Sequence, residues 1–305
     1  MDMSSMITQM EVLFLIMAIG YIASKLGVIT ETVSHCISKM FTTVILPFMM
    51  FDSMLNGDVT VTGQEAFYFL FLVLIAFVIL LAVALPVKQM MRDTPENSGI
   101  YRFMVAFTNV GFVGYPVANA IYGTASYLYL ALYCIGLNIF MFSVGIMFVS
   151  VGQGKVQIKR ILLNRILLIT VSAFILFLLG VRLPSPLAET CTIMTKIGVP
   201  AGVLVVGSSL GRIPFKEVFN QWKLYPVIFI RLIVAPLMTW FVLHLFVHDD
   251  MMLGILTICA ALPTAAFCSM LSIEYGSDEI LASKGVFLTT LFSMVTIPLL
   301  VFLLF

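Results

Sequence analysis

The chain has 305 residues, 61% of them hydrophobic and only 10% charged, with a net charge of +1. A soluble domain carries roughly 25% charged and 45–50% apolar residues, so this composition excludes a water-facing globule and indicates an all-α integral membrane protein that buries its apolar surface in the lipid bilayer. The charge balance gives no signal for a nucleic-acid partner, and none is expected.

In chain order, spans are predicted at 7–25, 32–55, 64–87, 101–122, 124–149, 162–182, 187–210, 218–246, 251–275 and 279–305. Each is near the ~20 residues a helix needs to cross the hydrocarbon. Polar punctuation separates them at Gly57-Asp58, Arg92–Ser98, Gly152–Lys159, Pro184–Pro186, Gly211–Pro214 and His248–Asp250. The first segment reads as a span and not as a cleaved leader. Asp2 and Glu11 precede Lys25, the first basic residue, and no small-residue cleavage site follows. The chain stops within an apolar run at Phe305, so no appended soluble domain is expected.

With the N-terminus outside, the inner loops hold Lys25, then Lys88, Arg92 and Arg102, then Lys155, Lys159, Arg160 and Arg165, then Arg212, Lys216 and Lys223. The outer loops hold Arg182 beside the acidic Asp58, Glu65, Asp249 and Asp250. This asymmetry follows the positive-inside bias and places both termini on the extracytoplasmic side of a cell (plasma or inner) membrane. The last inner loop is the exception, with Glu274, Asp278 and Glu279 against Lys284.

An internal repeat underlies the pattern. Leu26-Gly27-Val28 recurs as Leu179-Gly180-Val181, Pro47 as Pro200, and Tyr122-Gly123 as Tyr275-Gly276, all about 153 residues apart. Five spans per half is an odd number, so the halves 1–154 and 155–305 are expected to be inverted relative to one another. Inverted repeats characterise secondary transporters.

Span 4 contains Phe107-Thr108-Asn109-Val110-Gly111-Phe112-Val113-Gly114-Tyr115-Pro116. Proline removes a backbone donor and glycine permits departure from helical geometry, so an interrupted helix is predicted here. Span 9 repeats the theme in Ala260-Ala261-Leu262-Pro263-Thr264-Ala265-Ala266. Non-helical backbone at membrane depth is tolerated only against protein or a water-filled cavity. Paired interruptions in matching positions of two halves point to a midplane substrate site. A helix N-terminus beyond each break offers free N–H groups that suit an anion. Asn109, Gly111, Gly114, Pro116, Pro263 and Thr264 are therefore the candidate substrate residues. Asn138 in span 5 joins them as a polar amide in hydrocarbon, with interhelical bonding an equal alternative. Pro47 and Pro200 are read as bends, either purely structural or shaping the cavity wall. Thr289, Thr290 and Ser293 in span 10 are weaker candidates, because hydroxyls in such helices usually bond back to the helix.

Intramembrane charges are functional candidates by default. Lys39 and Lys284 lie near enough to span ends to snorkel, whereas Lys196 and Arg231 are placed deeper, facing a substrate carboxylate or Glu11 or Glu189. The five cysteines are scattered through apolar segments without a CxxC pair and read as buried hydrophobes. His244 and His248 share a helix face without a third partner, which reads as a solvated interfacial cluster, so no metal and no cofactor are expected. No nucleotide loop or hydrolase motif is present, and an enzyme is not expected.

Asn109 through Pro116 followed by Ile121-Tyr122-Gly123 resembles the span 4 signature of the auxin efflux carrier family. So does Leu46-Pro47 in span 2. Ile197 through Leu210 is similar to that family's Gly-x-x-Pro region, and Glu274 through Pro298 to its last two spans. The resemblance covers essentially the whole chain and is closest to the compact prokaryotic members. It implies ten helices in two inverted five-helix repeats, with broken helices 4 and 9 crossing near the site. It also implies a scaffold of spans 1, 2, 6 and 7 that forms a homodimer, and a moving unit of spans 3–5 and 8–10. Family members carry organic anions such as auxin, malate or malonate. No acidic residue lies deep in span 3, since Glu65 sits at its outer end, which puts proton coupling in doubt.

The expected function is a secondary carrier for small organic anions working by alternating access, with H+ or Na+ as possible coupling ions. A sodium-coupled carrier of the related bile-acid symporter type is an alternative, with Asn109 and Thr264 supplying part of a ligand set. A channel or a non-transporting sensor is the alternative of a different class. A continuous pore would favour polar residues along whole helices, whereas here they gather at two breaks.

Overall fold

The computed structural model describes residues 3–56, 61–150, 165–212 and 219–304. Asp2, Asp58, Lys155, Lys159, Arg160, Lys216 and the boundary expected between the halves at 154–155 lie outside the described residues. The described fold is all-helical. We label its helices α1 (Met3–Lys25), α2 (Glu31–Asn56), α3 (Gly63–Ala84), α4 (Pro95–Ala106), α5 (110–122), α6 (126–149), α7 (Arg165–Leu178), α8 (Ser185–Arg212), α9 (Leu224–His244), α10 (Asp250–Ala261), α11 (Phe267–Tyr275) and α12 (Glu279–Leu304). Each predicted span is helical over most of its length, and predicted spans 4 and 9 are each divided in two, as α4/α5 and α10/α11. Among the described residues, six helical stretches are long and apolar enough to cross a membrane, with α10 and most of α7 as shorter apolar helices.

The turns between helices repeat along the chain. Gly27 and Gly180 have φ of +73° and +67°, and Gly123 and Gly276 have +68° and +69°. These are the glycines of two of the sequence pairs spaced about 153 residues apart. Only glycine takes this left-handed conformation without steric cost, so the two members of each pair share one backbone conformation at the turn that follows a helix.

Three helices widen into a π-turn just ahead of a proline. Phe41–Ile45 precedes Pro47, Val110–Gly114 precedes Pro116, and Ile230–Val234 precedes Pro236. A proline ring collides with the carbonyl one turn earlier and cannot donate to it. Widening the preceding turn is one way a helix absorbs that defect without ending. Pro200, by contrast, lies inside the continuous α8.

The chain divides into two compact units. The first comprises 1–70, 111–135 and 162–213, the second 71–110, 136–161 and 214–305. In the first, α1 and α8 approach backbone to backbone. A Cβ on Gly20 would lie 2.5 Å from the Leu204 carbonyl oxygen, and one on Gly207 would overlap that of Met17. Small residues permit such contact between membrane helices. The Ser34 and Ser208 hydroxyls share a buried 3.0 Å hydrogen bond. At the other end of α2, Asp52 accepts from Thr192 of α8 at 2.8 Å and from Asn56 at 3.2 Å. In the second unit, Gly99 brings α4 against the Phe148 carbonyl of α6, and Gly145 of α6 seats the Phe103 and Phe107 rings. Phe77 stacks on Phe140 with centroids 5.0 Å apart.

Candidate functional site

The second unit is organised around the two helix breaks. Helix α10 ends at Ala261 because Pro263 disfavours helical geometry in the residue before it, and Leu262 is extended (φ −63°, ψ 152°). Helix α4 ends at Ala106, and Phe107 is likewise extended (φ −115°, ψ 133°). The two extended stretches pair antiparallel, with Thr108 opposite Thr264. The Asn109 N–H donates to the Pro263 carbonyl at 2.9 Å, and the Ala265 N–H donates to the Phe107 carbonyl at 3.0 Å. Each break therefore satisfies the backbone of the other, in a place where unpaired amides would be costly.

The helix ends at the crossing are also capped. The last carbonyls of a helix lack intrahelical donors. The Thr264 hydroxyl donates to the Met104 carbonyl at 3.0 Å. Arg231, fully buried on the π-turn of α9, donates from Nη1 to the Val105 carbonyl at 2.9 Å. Its Nε and Nη2 reach the Leu262 carbonyl at 3.0 and 2.7 Å. Thr289 of α12 accepts the Thr264 N–H at 3.2 Å while donating to Gly285 at 2.8 Å. Gly285 itself leaves room for the Met104 side chain. Helix macrodipoles carry about half a unit charge at each end. The guanidinium thus neutralises two negative ends, while the positive N-terminal ends of α5 and α11 begin just beyond the breaks.

Of the sequence candidates, the crossing brings together Asn109, Pro263 and Thr264, with Asn109 and Thr264 buried. The break in predicted span 4 falls on 107–109, one step before the glycines. Gly111 and Gly114 lie on the π-turn that opens α5, and Pro116 stands at the start of the α-helical part that follows, all within the first unit. Asn138 is buried on the part of α6 that belongs to the second unit. Pro47 and Pro200 lie in the first unit on α2 and α8, and Lys196 is exposed on α8. Thr108 is not among the sequence candidates, and Arg231, for which a substrate carboxylate, Glu11 or Glu189 were open as partners, places its fork on the Val105 and Leu262 carbonyls. Only back-bonding was expected from Thr289, which also holds the second break. A lone arginine within an apolar run five residues before a proline was the available signal.

Residues 5–168 and 153–301 match the model of a family described as membrane transport protein. The chain belongs to that family, the family of the auxin efflux carriers. Within this membrane transport family it is similar to an uncharacterised transporter of Methanothermobacter thermautotrophicus, at 25% identity over 97% of both chains. An uncharacterised transporter of Methanocaldococcus jannaschii is 24% identical over 94% of this chain and 95% of its own. A candidate malonate transporter of Rhizobium meliloti is 22% identical over 75% of this chain and 73% of its own. The protein is thus a multi-pass membrane transport protein.

Proposed function

We infer that this chain is a secondary carrier for small organic anions, mono- or dicarboxylates of the malonate class, working by alternating access. The observation that carries the reading is the antiparallel pairing of two broken helices at Thr108 and Thr264, with the carbonyl ends capped and two N-termini starting at Val110 and Phe267. Free N–H groups at positive dipole ends attract carboxylates, and broken helices are how secondary transporters build midplane sites. A solute carboxylate would be held at Asn109, Thr108 and the backbone after Thr264, with Pro263 keeping the second break open and Asn138 a further candidate contact. Gly111, Gly114 and Pro116 would shape the opening turn of α5. The similarity to a candidate malonate transporter supports the substrate class.

The repeated left-handed glycines favour ten spans in two inverted repeats. In that arrangement α1, α2, α7 and α8 would serve as a dimerising scaffold, and the remaining helices would make an elevator-type movement in the cell membrane, with both termini outside. The test is counterflow of radiolabelled malonate in proteoliposomes of the purified chain. Saturable exchange is expected, with Asn109→Ala abolishing it while the protein stays monodisperse. Non-saturable flux would indicate a channel, and unchanged kinetics in the variant would remove Asn109 from the site.

A further inference from the structure

Arg231 is the one side chain that bonds to the ends of both α4 and α10 among the described contacts of the crossing, and it is fully buried. Its location has a local cause. Pro236 follows the π-turn Ile230–Val234, which carries Arg231. That turn sits beside α10, α12 and α4 in the second unit. The planar fork reaches both breaks at once, Val105 with one nitrogen and Leu262 with two. A lysine has a single nitrogen at its tip and no such fork.

The carbonyls it holds have a particular chemistry. Unwound backbone and helix C-termini at paired breaks are the groups that coordinate a mobile cation in ion-coupled carriers. Here the Val105 and Leu262 oxygens already receive charged N–H donors. We propose that Arg231 is a fixed counter-cation, a positioning residue that occupies the carbonyl ends of the crossing in place of a mobile metal cation and keeps the site selective for anions without bound sodium. This rests on the carrier reading above.

The experiment measures radiolabelled malonate uptake by the full chain in proteoliposomes, in sodium and in choline buffer. Wild-type uptake is expected to be the same in both. Arg231→Ala should raise KM by about tenfold or more, as expected for a lost charge-assisted contact. Guanidinium chloride at millimolar concentration should restore it, and choline should not. Arg231→Lys, which retains charge but not the fork, should keep KM close to wild type with slower turnover. A sodium requirement in the wild type, or an unchanged KM in Arg231→Ala, overturns the proposal. So does a failure of guanidinium to restore uptake. If Arg231→Ala aggregates, the lysine variant decides, and a KM rise there as large as that of Arg231→Gln counts against a role for the charge. If the wild type transports no carboxylate, the carrier reading fails separately. The role of Arg231 is then read from melting temperature: millimolar guanidinium should stabilise Arg231→Ala and leave the wild type unchanged, and equal responses refute it.

Discussion

Thr108 and Thr264 occupy equivalent positions in the antiparallel bridge, yet their hydroxyls have different fates. The Thr264 hydroxyl donates to the Met104 carbonyl at 3.0 Å, whereas the Thr108 hydroxyl is buried with no hydrogen-bond partner among the described residues. Removing a hydroxyl that satisfies a buried carbonyl costs the desolvation of that carbonyl, about 1–3 kcal/mol. Removing one that satisfies nothing costs little, within about 0.5 kcal/mol. Thr264→Val should therefore lower the melting temperature in detergent clearly, and Thr108→Val should not. If the Thr108 hydroxyl meets the solute, its valine variant should raise KM for malonate at unchanged stability. Equal destabilisation by the two substitutions would contradict the asymmetry.

Gly111 gives a second separation of stability from transport. A Cβ there would meet nothing within 4 Å, and the residue does not have a left-handed φ. Neither crowding nor backbone geometry explains the glycine. Alanine in a helical position is about 0.5–1 kcal/mol better than glycine, so Gly111→Ala should hold or raise the melting temperature. A rise in KM alongside it would assign the glycine to solute access at the opening turn of α5. A fall in melting temperature would instead mean that the turn needs glycine for folding.

Gly207 predicts the opposite outcome. Its Cβ would overlap the Met17 carbonyl, which is backbone and cannot rotate away. Overpacking of this kind costs about 1–3 kcal/mol, so Gly207→Ala should lower the melting temperature by several degrees. Little effect would mean that α1 and α8 are less closely apposed than described.

The helices were legible because apolar run length and turn glycines act locally. The breaks were legible because Pro263 and the Asn109–Pro116 cluster disturb helical geometry wherever they occur. The pairing of the breaks was not. Its partners are the main-chain groups of Phe107, Asn109, Pro263 and Ala265, and a backbone hydrogen bond leaves no residue signature. Arg231 was visible as a charge in an apolar span, but a carbonyl acceptor is invisible in sequence, so carboxylates were the only partners that could be named. The break of predicted span 4 was expected among the glycines and lies just before them. A π-turn absorbs Pro116, and the chain unwinds at Thr108, where the extended backbone at Thr264 pairs with it.

Asp93 supplies a pH dependence distinct from transport. It lies between α3 and α4, where Lys223 Nζ approaches its carboxylate to 3.0 Å. The Tyr101 hydroxyl donates to it at 3.1 Å and the Thr94 N–H at 2.8 Å. Partial burial pushes the carboxyl upward, but the hydrogen bonds from Lys223, Thr94 and Tyr101, together with the charge of Lys223, outweigh it and hold the group below its ordinary value. A depressed folded-state value means the folded protein prefers the charged form more than the unfolded chain does. The stabilisation is therefore present above the unfolded value of about 4 and is lost as pH falls through the folded one. Lys223 is a third exposed, so solvent and salt screen the pair, and its contribution is about 0.2–1 kcal/mol. Melting temperatures of the wild type and Asp93→Asn should differ most near neutral pH in low salt and converge as pH falls through the lowered folded-state value. High salt should narrow the difference. A gap that is unchanged or widens on acidification would show that Asp93 is not held in its charged form by these donors.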